Sequence, residues 1–358
     1  MQFAYVGTYT TESYKKNRNA HGKGIYVFSI DENREWKLIQ TVETLNPAVL
    51  AFGRNKETLY CVNTNSGFCS AYRRNAETGL LSFINQQKTP RENVMVMSVN
   101  EAGDLLISAD KTGIISAMPI DESGALQEPF GAFVLPGEKG PVNEKIQPYS
   151  RPHHVPFTPD GRFVLMADKG LDLVHSYRVD SKSRRFEEIQ HLAFRPASCP
   201  RHIAFHPNDE WVYVNTEYTS TIVACRYNKD LGTLEPFQIV PSLPDDYVAI
   251  KNTTAEIAVG NQGKNLYVSN RGMNSIGVFS IDAANGRLEP EQWVSTEGIK
   301  PRFFGIEPGG KYLYACNQMT DTIVEFKIDS QNGRLLQTGH VIETPVPVWI
   351  LFSDALER

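Results

Sequence analysis

The sequence predicts an all-β fold, a seven-bladed β-propeller with four-stranded antiparallel blades and a ring closed by N- and C-terminal strands in one blade. Three observations predict it: short apolar runs and turn residues recur at intervals of about 46 to 58 residues, seven copies of this pattern fill the chain, and the first and last copies complement each other. We therefore expect residues 1–358 to form a single domain.

The clearest copy of the pattern begins at Pro200. Residues 201–208, 211–217 and 220–227 form three runs rich in β-branched and aromatic residues, and a shorter run follows the turn at Gly232. Short runs of this composition between Pro, Asn, Asp and Gly clusters are typical of an antiparallel meander. We label the four predicted strands of each copy a to d, from the inside of a blade outward.

Strand b is the easiest strand to count. Its seven predicted copies lie at residues 4–8, 59–63, 105–109, 163–168, 212–216, 266–270 and 313–317. Repeats of about 40 to 50 residues with four strands each are typical of propeller blades. The chain has no Gly-His and Trp-Asp signature, which disfavours a WD40 propeller.

The two ends of the chain predict how the ring closes. The chain starts with a b strand, and residues 348–352 (VWILF) resemble the a strand at residues 48–52 (AVLAF). One blade therefore takes its inner strand from the C-terminus and its outer three from the N-terminus, which leaves no open sheet edge in the ring.

Composition restricts the partners and the compartment. Of 358 residues, 22% are charged, and the net charge of -5 predicts no nucleic-acid partner, although a local basic pocket is compatible with it. No run approaches about 18 apolar residues and no signal-peptide pattern opens the chain, so we expect no membrane contact. Five cysteines without metal-ligand spacing predict reduced thiols in a cytoplasmic protein.

Two positions of the repeat predict where chemistry lies. Because strand b runs antiparallel to strand a, the residue that opens a and the residue that closes b share one mouth of the channel. The opening positions are Ala48, Met95, His153, Arg201, Ala255, Arg302 and Val348. The closing positions are Tyr9, Thr64, Lys111, Lys169, Glu217, Arg271 and Gln318.

Charged and polar residues at this mouth are concentrated in blades three to six. Three arginines, one histidine and one glutamate in a narrow funnel are costly to desolvate unless they bind something anionic. The sequence therefore predicts a small anionic substrate. The alternative is a polar, water-filled channel whose Arg–Glu pairs only join neighbouring blades.

Several further residues have a structural and a functional interpretation. His202 and His206 lie four apart on a strand, a spacing that favours packed histidines over metal ligands. We expect His202 and Glu256 to orient the arginines or to contact the substrate directly. Asp168 and Asp172 are interpreted as turn residues that accept backbone hydrogen bonds.

Long connections and missing motifs complete the pattern. Three segments, at residues 10–23, 136–150 and 242–253, open at the same mouth and are expected to form its rim. No motif for nucleotide binding, zinc proteolysis or α/β-hydrolase chemistry is present. We expect no metal and no organic cofactor.

The sequence also resembles the seven-bladed propeller lactonases, which include propeller-type 6-phosphogluconolactonases and carboxy-cis,cis-muconate lactonizing enzymes. The resemblance covers almost the whole chain and rests on VGTYT at residues 6–10, PDGR at 159–162, PRHIAFHP at 200–207, AEI at 255–257, SNRG at 269–272, PRF at 301–303 and NQ at 317–318. It implies a functional set of His153, Arg201, Glu217 and Arg271.

The chain departs from the family pattern at three places. Arg151 stands where the family has the first histidine of a His-x-His motif, and Asn63-Thr64 and Met95-Val96 replace its usual Asn-Glu and Cys-His. Blades one and two therefore carry fewer polar groups at the mouth than the family pattern has.

The predicted activity is hydrolysis of a carboxylated or phosphorylated sugar lactone. Arg201, Arg271 and Arg302 would bind the anionic group and stabilise the oxyanion, His153 would activate water, and Glu217 would stay ionised as an orienter or serve as the base instead. Gln318, Lys169, Glu256, His202 and Tyr9 complete the expected substrate-binding set. Closure of a muconate-type dicarboxylate and a non-catalytic ligand-binding propeller are the alternatives. The oligomeric state stays open.

Overall fold

Seven four-stranded antiparallel sheets follow one another around a ring. The computed structural model describes residues 1–10, 20–180, 183–248 and 251–354. The inner strand of each blade packs against the inner strands of the two neighbouring blades, so the blades surround a common axis. This arrangement confirms the seven-bladed β-propeller.

The strands follow in chain order. Blade seven takes from the N-terminal part β1 (Gln2–Thr8), β2 (Gly24–Ile30) and β3 (Trp36–Glu43). Blade one contains β4 (Pro47–Phe52), β5 (Thr58–Asn63), β6 (Phe68–Arg74) and β7 (Leu81–Lys88). Blade two contains β8 (Val94–Val99), β9 (Leu105–Asp110), β10 (Ile114–Pro119) and β11 (Phe130–Val134). Blade three contains β12 (Pro152–His154), β13 (Phe163–Asp168), β14 (Leu173–Asp180) and β15 (Arg185–Ala193).

Blades four to six continue the pattern, and the last strand returns to blade seven. Blade four contains β16 (Pro200–Phe205), β17 (Trp211–Thr216), β18 (Thr221–Asn228) and β19 (Thr233–Pro241). Blade five contains β20 (Thr254–Gly260), β21 (Asn265–Asn270), β22 (Ser275–Ile281) and β23 (Leu288–Ser295). Blade six contains β24 (Pro301–Ile306), β25 (Tyr312–Asn317), β26 (Thr322–Ile328) and β27 (Leu335–Glu343), and β28 (Pro347–Phe352) completes blade seven. Two short 3-10 helices span Arg54–Lys56 and Asn261–Gly263.

Ring closure follows the prediction from the chain ends. Strand β28 pairs antiparallel with β1, with Tyr5 opposite Leu351, and so forms the inner strand of blade seven. Beyond the pairing, the backbone N–H of Phe3 donates to Ser353 Oγ at 2.9 Å. The predicted b strands agree with the observed ones within two residues at each end.

Neighbouring blades are joined by a repeated tyrosine hydrogen bond. The hydroxyl of Tyr60 on strand b donates to the Gly124 carbonyl in the c–d turn of the next blade at 3.0 Å, and Tyr5, Tyr213 and Tyr267 make the equivalent bonds to Gly79, Gly286 and Gly333. At Gly79 the backbone has a φ of 74°, and a Cβ there would lie 2.3 Å from the Phe3 ring. The glycine that marks the turn in the sequence is therefore also required by blade packing.

The core lies between the blades. Strands β5, β9, β13, β17 and β21 are buried along their whole length, because both faces of each blade pack against a neighbouring blade. The outer d strands, such as β15 and β19, consist mostly of half-buried and exposed residues. All five cysteines are buried and none forms a disulfide. In the described ranges, no helix has the length and apolar character needed to cross a bilayer.

Candidate active site

Each inner strand begins with a β-bulge at the predicted mouth position. Beside the first residue of strand a, the register with strand b slips by one residue in all seven blades. The residues in the bulges include all seven predicted opening positions: Ala48, Met95, His153, Arg201, Ala255, Arg302 and Val348. A bulge bends the strand and changes the direction of its side chains. Because every blade has a bulge at the same position, these residues are directed toward the axis.

One cavity with about 370 Å³ of empty space, part of it open to solvent, lies at this mouth. Six of the seven opening residues line it, and Ala255 is the exception. The Ala255 carbonyl accepts hydrogen bonds from the Arg201 guanidinium and from Asn215 Nδ2. The lining therefore confirms that the opening positions face the funnel, apart from blade five.

The cavity wall combines polar and apolar side chains. The polar lining consists of Tyr9, Thr64, His153, Arg201, His202 and Arg302. The apolar lining consists of Ala48, Val49, Met95, Val96, Phe303, Val348 and Trp349. The two sets adjoin one another, since Tyr9 packs with Ala48 and Val348, so a molecule that fills this space meets both charge and hydrocarbon.

Glu217 is the centre of an ion-pair cluster beside the cavity. Lys169 Nζ donates to Glu217 Oε2 at 2.8 Å. The guanidinium groups of Arg201 and Arg271 approach the same carboxylate, each with a nitrogen–oxygen distance of 3.4 Å. Three cations therefore share one carboxylate, and the cluster keeps a surplus of positive charge.

Backbone carbonyls of blade five hold the two arginines in place. Arg201 Nη1 donates to the Ala255 carbonyl, and Arg271 Nη2 donates to the Thr254 carbonyl at 2.7 Å. The Arg201 side chain is 2% exposed and the Arg271 side chain 12%. Guanidinium groups bound in this way are pre-positioned, since little side-chain freedom is left to lose when an anion arrives.

The ion pairs of the cluster also determine the protonation states of Glu217 and Lys169. Burial alone would raise the pKa of Glu217, but Lys169, Arg271 and Arg201 outweigh it and hold that pKa well below its usual range. Burial lowers the pKa of Lys169, while Glu217 opposes the shift. The prediction that Glu217 stays ionised at neutral pH agrees with these directions.

His153 reaches the cavity from blade three. Its side chain is part of the cavity lining, and its Nδ1 is enclosed and lacks a hydrogen-bond partner within the described ranges. Burial lowers the pKa of His153 well below its usual range, and the nearby cations Arg201 and Lys169 lower it further. The imidazole is therefore neutral at neutral pH, but its pKa lies below the near-neutral value expected from the sequence.

His202 also lines the cavity and is bound to Glu256. His202 Nδ1 lies 2.9 Å from Glu256 Oε2, so the pair joins blade four to blade five. On its other side His202 stacks on His154, whose Nδ1 accepts a hydrogen bond from the Ile203 backbone. The carboxylate of Glu256 therefore binds His202, and the role of the two residues in orienting the arginines or in contacting the substrate stays a prediction.

Arg302 enters the cavity from blade six. Its guanidinium carbon lies 5.5 Å from the centroid of the Tyr9 ring. Within the described part of the chain, no carboxylate forms an ion pair with Arg302. The Tyr9 face therefore places a cation at the cavity without neutralising it.

The closing positions behave differently from the opening positions. Lys169, Glu217 and Arg271 bind one another beside the cavity, and only Tyr9 and Thr64 of the closing set belong to its lining. Gln318 is buried, and its backbone N–H donates to the Lys300 carbonyl at 3.1 Å. The closing set thus divides into Tyr9 and Thr64 in the cavity lining and an ion-pair cluster of Lys169, Glu217 and Arg271 beside it.

Other predicted roles agree with the contacts. Asp168 accepts the backbone N–H groups of Arg151 and Gly170, and Asp172 accepts those of Ala197 and Cys199. His206 Nε2 lies 2.9 Å from the Gly263 carbonyl. The turn interpretation of both aspartates and the packed interpretation of His206 are confirmed.

The rim is partly described. Gln147, in the segment at residues 136–150, donates from Nε2 to the Lys169 carbonyl at 3.0 Å, which places this segment beside the ion-pair cluster. In the segment at residues 242–253, Asn252 Nδ2 donates to Asn270 Oδ1 at 3.1 Å. Residues 11–19 and 249–250 of the predicted rim lie outside the described residues.

The sequence did not predict the aromatic part of the wall. Trp349 and Phe303 stack with ring centroids 4.0 Å apart, and Trp349 also lies 6.3 Å from the His202 ring. Both follow an opening position by one residue, as His202 follows Arg201. Strict alternation would turn such residues away from the axis, and the bulge is what brings them to the cavity.

The fold and this cavity define a class: a seven-bladed β-propeller with a basic, histidine-containing cavity at the mouth of its channel. The chain belongs to the lactonase family of seven-bladed β-propellers, whose family model matches residues 3–352.

Among curated proteins, the chain is 32% identical over 311 residues to a 6-phosphogluconolactonase of Bacillus subtilis, covering 85% of this chain and 84% of that protein. Among solved structures, a putative 6-phosphogluconolactonase from Bacteroides fragilis is 29% identical with a TM-score of 0.88, covering 99% of this chain and 98% of that one. A periplasmic gluconolactonase from Pseudomonas aeruginosa is 25% identical with a TM-score of 0.89 and covers 99% of both chains.

Proposed function

We propose that the protein hydrolyses an anionic sugar lactone of the 6-phosphogluconolactone type. The observation that carries the proposal is the surplus of positive charge at the cavity. Lys169, Arg201 and Arg271 share the single carboxylate of Glu217, and Arg302 lies at the wall without a carboxylate partner among the described residues. In a buried site this surplus favours a ligand with a phosphate or carboxylate.

Arg302 and Arg201 bind the substrate, because both line the cavity. Arg302, stacked near Tyr9, takes the anionic group, and Arg201 donates to the carbonyl oxygen as it becomes an oxyanion. Fixed donors aimed at developing charge lower the barrier more than flexible ones, because they need not reorganise during the reaction. Arg271 and Lys169 act through Glu217, which they keep ionised and which holds Arg201.

His153 activates the attacking water. A base is most effective when its pKa lies near the working pH, and the cations around His153 hold its pKa well below that value in the empty site. A bound phosphate or carboxylate offsets the charge of Arg201 and Arg302 and so raises the pKa of His153. The substrate's anionic group thereby makes its own base stronger, which favours anionic over neutral lactones.

The relatives support hydrolysis over the two alternatives. Those from Bacillus subtilis and Pseudomonas aeruginosa are named as a 6-phosphogluconolactonase and a gluconolactonase. No specific observation in this chain favours closure of a muconate-type dicarboxylate or a non-catalytic role. Neither a metal nor an organic cofactor has a step in the proposed reaction.

The proposal is tested by assaying the purified protein for proton release from 6-phosphogluconolactone and from unphosphorylated gluconolactone, with spontaneous hydrolysis subtracted. We expect catalysed hydrolysis of both, with the higher kcat/KM for the phosphorylated lactone. Background rates with both lactones overturn the proposal. In a parallel assay, closure of cis,cis-muconates with no lactone hydrolysis shows that the reaction runs in the other direction.

A further inference from the structure

A buried carboxylate–imidazole pair lies in the cavity wall next to the proposed base. Glu256 Oε2 and His202 Nδ1 are 2.9 Å apart, and their side chains are 9% and 3% exposed. His202 lines the cavity, and with Nδ1 bound to Glu256, Nε2 is the ring nitrogen left to serve a substrate. This is the arrangement in which a carboxylate fixes the tautomer and direction of an imidazole that exchanges a proton with a substrate.

We propose that His202 is the general acid of the reaction, donating a proton from Nε2 to the ring oxygen that leaves the lactone carbonyl, with Glu256 as its positioning residue and proton source. The proposal deepens the proposed function and rests on it.

The surroundings of the pair favour one shared proton. Burial raises the pKa of Glu256 to about 8, against the opposing charge of Arg201. Burial lowers the pKa of His202 well below its usual range, and Arg201 lowers it further. His153, His154 and Arg302 also face His202, and all three act in the same direction. At neutral pH the pair therefore carries its proton on the Glu256 side while the imidazole is neutral.

The proton balance of the step follows from this state. His153 takes a proton from water as the water oxygen bonds to the lactone carbonyl carbon. When the bond from that carbon to the ring oxygen breaks, the ring oxygen takes the proton from His202 Nε2, and His202 Nδ1 takes the proton from Glu256. The new carboxylic acid and His153 then release their protons, one of which restores Glu256, and the other leaves to the solvent.

Two histidines at the wall have different surroundings, as two different roles require. The His153 and His202 rings lie 5.4 Å apart, and of these two residues His202 is the one whose Nδ1 binds a carboxylate. His154, the third histidine of the group, accepts the Ile203 N–H with Nδ1 and is placed by that bond as a packing residue. An acid and a base at the same cavity match the two proton transfers of lactone hydrolysis.

The test compares two substrates with leaving oxygens of different acidity. One is 6-phosphogluconolactone, whose leaving oxygen is an alcohol, and the other is a carboxylated dihydrocoumarin, whose leaving oxygen is a phenol. We expect both Glu256→Gln and His202→Gln to lower kcat about 100-fold on the alkyl lactone and less than about fivefold on the aryl lactone, because a phenolate leaves without a proton.

His206→Gln is the matched control, since His206 also joins blade four to blade five but does so at the far end of β16. If either active-site variant fails to fold, as judged by circular dichroism, the other decides. Equal losses on both substrates, or no loss on either, overturn the inference. If the wild type hydrolyses neither lactone, the proposed function itself fails.

A second measurement, the pH dependence of kcat/KM, applies if the enzyme does not hydrolyse the aryl lactone. On 6-phosphogluconolactone, wild-type kcat/KM falls with rising pH near 8 as the pair loses its proton. We expect this alkaline limb to be absent in Glu256→Gln. A limb that persists unchanged in Glu256→Gln overturns the role of the pair.

Discussion

Lys169 Nζ lies 2.8 Å from Glu217 Oε2, and this ion pair joins blade three to blade four beside the cavity. The same carboxylate also pairs with Arg201 and Arg271. A single glutamate therefore holds three cations that belong to three blades, and both the stability of the mouth and its charge depend on it.

We expect Glu217→Gln to lower the free energy of unfolding by about 3 kcal/mol, because removal of one partner leaves buried cations without their counter-charge. Urea denaturation at pH 7 measures this. Glu187→Gln is the control: its carboxylate pairs with Arg178 at 2.7 Å, but the two side chains are 62% and 47% exposed. A surface pair of this kind contributes about 0 to 1 kcal/mol, so equal effects of the two substitutions contradict the prediction.

Arg302→Met tests which residue recognises the anionic group. We expect kcat/KM for 6-phosphogluconolactone to fall about 30-fold, since a charge-assisted hydrogen bond contributes about 2 kcal/mol. For unphosphorylated gluconolactone we expect a change below about threefold. Steady-state kinetics with both lactones provide the comparison, and equal losses on both would mean that Arg302 does not bind the phosphate.

The apolar part of the cavity lining predicts a preference within the phosphorylated lactones. Ring hydroxyls that meet Val348 and Ala48 lose water and gain no partner, at a cost of about 1 kcal/mol or more for each hydroxyl. A matched lactone with the same ring and phosphate but no ring hydroxyls is therefore expected to have about tenfold higher kcat/KM. An equal or lower kcat/KM for the deoxygenated lactone speaks against this interpretation of the wall.

Val348→Thr tests the same wall from the protein side, since it adds a hydroxyl without changing the size of the side chain. We expect it to reduce the preference for the deoxygenated lactone about fivefold. Val348→Ala is the control, because it changes volume alone. A preference that moves equally in both variants assigns the effect to space rather than to polarity.

A pH-dependent stability difference is expected at His175, away from the cavity. Its side chain is fully buried, neither ring nitrogen has a hydrogen-bond partner within the described ranges, and burial lowers its pKa to about 3. The unfolded chain binds a proton there below about pH 6.5 and the folded chain does not, so this residue makes stability fall as pH falls from 6.5 toward 3.

His175→Phe removes that dependence. Relative to the variant, wild type is expected to lose about 2 kcal/mol of unfolding free energy between pH 7 and pH 5. Urea denaturation of both proteins at the two pH values measures the difference. Asp168, which lies 3.9 Å from His175 and has its pKa raised by burial to about 6, acts in the opposite direction and is present in both proteins. Parallel pH profiles contradict the prediction.

Most of the fold is readable from the sequence because each blade is a local meander. Turn residues such as Gly124 and Gly286 form the c–d turn, and their carbonyls accept the tyrosine hydrogen bond of the preceding blade. The same glycines therefore indicate both where a blade turns and how it packs on its neighbour. The complementary chain ends predict the pairing of β1 with β28, because residues 348–352 keep the pattern of an inner strand although they are separated from the rest of their blade.

The site is readable only in part, because a bulge does not leave a periodic signal. The opening positions His153, Arg201 and Arg302 follow from alignment of the repeats, but alternation along a strand excludes the residue after each of them. The slip of register brings Trp349 and Phe303 to the cavity nonetheless.

The partner of Glu256 is a separate case. The contact joins residues 54 positions apart in consecutive blades, and the pattern of one strand does not specify which polar group of the next blade its side chain meets. Sequence reasoning therefore identifies Glu256 and His202 as members of the site but not as a pair.

The most direct test of the proposed activity is the turnover of His153→Gln on 6-phosphogluconolactone at pH 7, measured beside wild type and His206→Gln. We expect wild type and His206→Gln to hydrolyse the lactone at similar rates well above background, and we expect His153→Gln to lose about 100-fold or more in kcat with the same fold by circular dichroism. A folded His153→Gln enzyme with wild-type kcat would contradict the assignment of His153 as the base that activates water.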